Sequence, residues 1–396
     1  MKSLSGRVSL IVNVNLESLI FYYLCSFLLI DVVNGFLLKN FALPVSIGEL
    51  ARGLVFISLV FYLFRTKYSQ LVLFCLLLIT ASTVYYSIRN IDYGIKPLFS
   101  EISFVIKPFS YVLMAFYSGL ELSKRKRRRI VNANFYVFCG SIILSYFFGF
   151  GYSGYSDYYE SSKGLFLGNN TTAIVGIVLG YYYLFIDRVL IKFAITAFAV
   201  FLLGSKTILI IGLYILIALI SNLNFKVVLA TIPIATVVFY QFGVGLVERY
   251  KARILIPYYH MRNNGITAEA DLLGLYYYVS YERARVTDEI ISFFQTRPSE
   301  LLFGIGNYFS KYQLFGVTES AENDLMDILI KYGLLGVFFY LYFHFQFFKT
   351  SSRSTKGLLL FVISYSILGG HFIFSPMAYT LTAIFYTSAD LISKEN

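Results

Sequence analysis

Tryptophan is absent from the 396 residues, and charge is scarce, with Asp, Glu, Lys and Arg making up only 14% of the chain. A soluble globular protein carries about 25% charged residues, so there are too few here to cover a water-facing surface. The three cysteines, Cys25, Cys75 and Cys139, all lie inside apolar runs. They read as buried small hydrophobes, not as a disulfide or metal site. No small-residue cleavage site follows the first apolar run, 16–33, and further runs come after it, so it reads as a retained helix and not a secretory leader. No internal repeat, inverted or parallel, is visible.

What is present is apolar. The hydrophobic fraction is 58% and the mean hydropathy +0.69, and many runs reach the roughly 18–20 residues that cross a hydrocarbon core. Breaks at charged and turn-rich residues give spans at 16–33, 47–64, 71–86, 102–120, 130–150, 165–186, 189–203, 208–220, 227–247, 326–348, 357–373 and 377–391. The expected fold is an all-α, polytopic transmembrane helical bundle of about 12 spans. The seventh and eighth are short enough to form a tilted pair or a hairpin. With 35 tyrosines available, residues such as Tyr181, Tyr182 and Tyr183 fill the interfacial belt that tryptophan would share.

Basic residues set the orientation. With the amino terminus cytoplasmic, inside segments hold 17 Lys and Arg, including the run 124–129, while short outside segments and outer helix ends hold seven: Lys39, Arg52, Arg89, Lys96, Lys107, Lys163 and Lys206. Both termini are therefore expected in the cytoplasm. The net charge of +11 then reflects topology and anionic lipid, not nucleic acid, since no aromatic interleaving accompanies the basic run.

Three regions follow: 1–247 with nine spans, 248–321 as one large extracytoplasmic loop, and 322–396 with three spans. The loop carries eight basic and eight acidic residues, and a structureless loop of about seventy residues is unusual unless it is functional. Within it Val286, Ile290, Ile291, Phe293 and Phe294 recur at helical spacing, with Asp288 and Glu289 off the stripe. This predicts an amphipathic helix on the outer leaflet, ended by Pro298 and followed by a tight turn at Phe303-Gly304-Ile305-Gly306. Then come Glu322-Asn323-Asp324, carboxylates entering a membrane helix where they are costly.

Several features together carry a resemblance. They are Gly204-Ser205-Lys206-Thr207 at the outer mouth of a short helix pair, the long loop before the last three helices, and Arg283 and Arg285 about twenty residues before Gly304-Ile305-Gly306. Glu322-Asn323-Asp324 leading to Tyr332-Gly333-Leu334-Leu335-Gly336 completes the set. In this order the chain resembles the O-antigen polymerase (Wzy) and O-antigen ligase superfamily of bacterial membrane glycosyltransferases, a GT-C-like architecture. The ligase-like members usually carry Arg where Lys206 stands and His-Asn where Glu322-Asn323 stands, so the departures favour polymerase over ligase.

The resemblance implies an enzyme of the bacterial inner membrane with its active site on the periplasmic face. Its donor and acceptor would be oligosaccharides on undecaprenyl diphosphate, and a chain-length regulator and a flippase would be partners. Breaking the sugar–phosphate bond leaves a diphosphate, whose charge fixed cations would stabilise. Arginine's planar fork suits two phosphate oxygens, and the acceptor hydroxyl needs a base. Lys206, Arg283 and Arg285 are accordingly assigned to the diphosphate, and Glu322 or Asp324 to the acceptor proton. Ser205, Asn170, Lys107 and His371 are candidate substrate contacts. No DxD-type pair is present, so no essential metal or other cofactor is expected. Plainer readings stand beside these: Lys206 snorkels to the interface, Arg283 and Arg285 pair with Glu282 or Asp288, and His371 bonds internally. Asn169 and Asn170 would cap a helix, Asp327 and Lys331 would form an i, i+4 ion pair, and His344 would be structural. The rival functions are an O-antigen ligase and a lipid-linked oligosaccharide flippase; a flippase should show related halves and charges near the midplane.

Overall fold

The computed structural model describes residues 16–41, 46–153, 161–204, 208–220, 286–310, 323–370 and 372–386. Among these the regular structure is entirely helical, and the only strand-like pairing is an isolated bridge between Ser153 and Ser162. The helices are α1 (Leu16–Phe41), α2 (Ile47–Phe64), α3 (Ser69–Arg89), α4 (Lys96–Glu121), α5 (Lys124–Phe148), α6 (Asn169–Tyr181), α7 (Leu190–Leu202) and α8 (Ile208–Ile220). They continue with α9 (286–296), α10 (Asp324–Thr350), α11 (Arg353–Gly369) and α12 (Pro376–Ala383). Six of them, α1 to α5 and α10, are long and apolar enough to cross a membrane. The chain is a helical membrane protein. The span expected at 227–247 lies outside the described residues.

Composition explains the helices, and serine starts four of them. The side-chain oxygens of Ser46, Ser123, Ser352 and Ser375 accept from the amides of Glu49, Lys126, Thr355 and Ala378, each satisfying one orphan donor of a first turn. At α6 the expectation of an Asn cap fails: the turn starts from Gly168 with no side-chain cap, and the hydroxyls of Thr171 and Thr172 donate back to the Gly168 carbonyl.

Each long helix has two unlike faces. On α1 the residues Ile20, Leu24, Phe27 and Leu28 are buried, while Tyr22 on the same helix is 69% exposed. Phe148 and Ile191 are exposed by 74% and 71%. Large apolar side chains turned outward in such number suit a solvent of lipid tails, not water.

Polar ties pin the bundle where packing against lipid-like surfaces gives little preference. Asn134 of α5 donates to the carbonyls of Leu24 and Ile130, each at 2.8 Å, and accepts from the Leu28 amide at 3.4 Å. Arg52 of α2 pairs with Asp31 of α1 at 2.8 Å. At the end bearing the basic run, Lys126 meets Glu17 at 2.7 Å, and Arg127 donates to the carbonyls of Ser118 and Tyr386.

Two parts of the fold differ from the expectation. The apolar stripe of α9 does exist, but Val286, Ile290 and Phe294 are covered by Ile305 and Ile330; the helix packs on protein instead of resting its apolar face on a leaflet. Second, α10 is not one continuous span. At Gly333 the backbone takes φ 64° and ψ −164°, breaking it into a first segment of about two turns and a long second one.

Candidate functional site

A break in a membrane helix frees backbone groups that lipid cannot satisfy. Here the stretch 302–306 supplies the partners. The amides of Ile305 and Gly306 donate to the carbonyls of Ile330 and Lys331, both at 2.9 Å, and the Leu335 amide donates to the Leu302 carbonyl at 3.2 Å. Only glycine permits this approach. Gly304 has φ 72°, and a Cβ there would lie 2.6 Å from backbone atoms of Lys331, Tyr332 and Gly333. The Phe303–Gly306 turn expected from sequence is thus a plug laid across the broken helix.

The end of α3 clamps the plug from the other side. The Tyr86 hydroxyl donates to the Phe303 carbonyl, Arg89 donates to the Gly304 carbonyl at 3.1 Å, and Arg89 also pairs with Glu300. From α4, Ser100 accepts from the Asn307 side chain at 2.9 Å, and Glu101 accepts from the Tyr308 amide at 2.8 Å through one carboxylate oxygen.

Around this plug the chain buries an unusual number of charges. Glu101, Asp324, Asp327 and Lys331 are each exposed by 1% or less. Asp327 and Lys331 form the expected i, i+4 pair at 3.7 Å. The Lys331 ammonium also sits 3.9 Å from the centroid of the Phe104 ring, which stacks on Phe374 at 4.2 Å. Lys107 approaches the same Phe104 ring at 5.3 Å. Glu101, Phe104 and Lys107 follow one another at intervals of three residues, which puts them along one face of α4.

Asp324 has a distinct task. One oxygen accepts from the amides of Phe372 and Ile373 at 2.8 and 3.1 Å, which fastens the start of α10 to the turn before α12. Asn323 caps that start, accepting from Leu325 and Met326 at 3.1 and 3.3 Å. A carboxylate holding two amides at once suits positioning better than proton exchange.

Of the residues singled out from sequence, the structure brings Asp324 and Lys107 to this cluster. Asn170 stands apart, in the first turn of α6. Glu322, Arg283, Arg285, Lys206, Ser205 and His371 lie outside the described residues. His344 is buried, with its Nδ1 at 2.9 Å from the Tyr340 carbonyl, in line with a structural part. Sequence reasoning missed Glu101, Tyr86 and Arg89. Glu101 falls just outside an apolar run that starts at 102, whereas α4 starts at Lys96; the Glu101–Phe104–Lys107 spacing is the available signal. Among the described residues no group of three or more His, Cys, Asp or Glu is arranged to hold a metal ion.

No family model matches the chain, and neither a curated protein nor a solved structure matches it.

Proposed function

We propose that this protein is a membrane glycosyltransferase that joins lipid-linked oligosaccharide repeat units into a polysaccharide at the extracytoplasmic face, in the manner of the O-antigen polymerases it resembles. One observation carries the reading. A buried cluster of acids and lysines gathers on a broken helix, where residues 300–308 dock against the end of α3 and the first turns of α4. Ionisable groups within membrane helices are costly and mark function by default. In this reading the chain spans the membrane about 12 times with both termini inside. Lys206, Arg283 and Arg285 neutralise the diphosphate, and Lys107 adds a cation from the cluster. Asp324 sets the start of α10.

A deletion strain tests the proposal through its surface polysaccharide. Loss of a polymerase leaves a single repeat unit on the lipid core. A ligase would instead leave none, with long polymer still on the carrier lipid. An unchanged ladder removes both enzyme readings. One feature favours a second reading, a lipid-linked oligosaccharide flippase: broken helices with buried charges also build transporter sites. In that case deletion leaves undecaprenyl-linked units trapped on the cytoplasmic side.

A further inference from the structure

Beside the plug, Glu101 and Tyr332 each bury a polar atom that has no hydrogen-bond partner among the described residues. Glu101 is 0% exposed, and while one of its oxygens accepts from the Tyr308 amide, the other has no hydrogen-bond partner among the described residues. Among the described residues the Tyr332 hydroxyl is likewise buried and without a hydrogen-bond partner, and its ring lies 6.2 Å from that of Phe104, one turn of α4 from Glu101. The two are not bonded to each other. One is an acceptor and the other serves as donor, so together they match a single guest hydroxyl: its proton to the carboxylate, its lone pair to the phenol.

Neither atom is needed to hold the fold. A glutamine at 101 would accept from Tyr308 equally well without bringing a charge into a buried site. A phenylalanine at 332 would keep the ring contacts with Tyr86 at 5.9 Å and Phe104 at 6.2 Å. Leaving such groups buried and unsatisfied is costly, and a satisfied guest removes the cost. The Lys331 ammonium, over the Phe104 ring one turn of α4 from Glu101, offers the counter-charge. Asp327, Asp324 and the Arg89–Glu300 pair complete the charged surroundings.

We infer that Glu101 and Tyr332 seat the acceptor sugar hydroxyl and that Glu101 takes its proton, an assignment that rests on the glycosyl-transfer reading above. As the O–H bond breaks, its proton passes to the free Glu101 oxygen. The acceptor oxygen bonds to the anomeric carbon of the donor, and the carbon–oxygen bond to the diphosphate breaks, its electron pair leaving with the carrier lipid. Glu101 then returns the proton to water. A Cβ on Gly306 would lie 2.8 Å from Glu101 Oε1, so the plug runs close against the carboxylate. Gly304 and Gly306, at φ 72° and 82°, let it lie that close, since a side chain at either is strained.

The test uses the purified full-length protein and lipid-linked repeat units extracted from the deletion strain, with polymer formation followed over time. Glu101→Gln is expected to slow turnover at least about 100-fold, and Tyr332→Phe about tenfold, with both variants melting close to wild type. If a water molecule is the only guest, both variants polymerise at the wild-type rate, and the inference is overturned. Should Glu101→Gln fail to fold, Tyr332→Phe decides, since its ring contacts are kept: wild-type turnover removes the seat. A wild-type protein that forms no polymer from these units removes the glycosyltransferase reading itself, and the seat with it.

Discussion

Asp324 separates positioning from proton transfer in a single pair of variants. Its side chain is fully buried, and one oxygen accepts both the Phe372 and Ile373 amides. Asp324→Ala strands two buried donors, each costing about 1–3 kcal/mol, so the loss is about 2–6 kcal/mol. Asp324→Asn keeps a carbonyl oxygen in the same place and can still accept from both amides; what it gives up is charge near Lys331, which retains Asp327 at 3.7 Å. The Asn variant is expected to lose about 1 kcal/mol. Thermal unfolding in detergent, followed by light scattering or by a thiol-reactive dye on Cys25, Cys75 and Cys139, ranks the three proteins. The expected order is wild type, then Asn close behind, then Ala several degrees lower. Polymer formation should follow the same order. An Asn variant that folds as well as wild type yet forms no polymer would sink the positioning argument, because only loss of an ionisable group distinguishes it.

Other outcomes follow from the same geometry. Gly333→Ala places a Cβ against the Leu302 carbonyl at φ 64°, so it should cost about 3 kcal/mol or more and reduce folded yield on gel filtration. Gly140→Ala, in open helical surroundings, should be neutral or stabilising by up to about 1 kcal/mol. Lys331→Met alone leaves Asp327 without its cation and should destabilise by about 3–5 kcal/mol, whereas Lys331→Met with Asp327→Leu should recover most of that loss; equal melting of the single and double variants would contradict it. For orientation, alkaline phosphatase fused near Gly265 should be active and near Arg127 inactive, and the reverse pattern would move the cluster to the cytoplasmic face.

Much of the bundle was legible because bilayer thickness and hydropathy are simple constraints. The Asp327–Lys331 pair was legible too, since helical spacing alone places the two side chains together. The break in α10 was not. Glycine inside an apolar run is common in membrane helices, and nothing local distinguishes Gly333, whose conformation is imposed by a distant stretch, from Gly140, which is plain helix. Glu101 was missed for a related reason: a hydropathy window stops at the first charge, and so discards a carboxylate that the helix carries inward. Asp324 was recognised as exceptional by its place at a helix entry, but its two amide partners come from 48 and 49 residues further along the chain, a pairing no local pattern encodes.

The clamp on the plug joins residues that are far apart in synthesis: Tyr86 and Phe303 are separated by 217 positions, Arg89 and Glu300 by 211. The chain emerges in order, so the end of α3 has neither Glu300 nor Phe303 to bind until more than two hundred further residues have been made. A polypeptide stopped before residue 300 carries Tyr86, Arg89 and Glu101 without the plug that binds them. The cluster therefore cannot assemble in stages during synthesis, and fragments truncated there should lack it until the missing part is supplied as a separate chain.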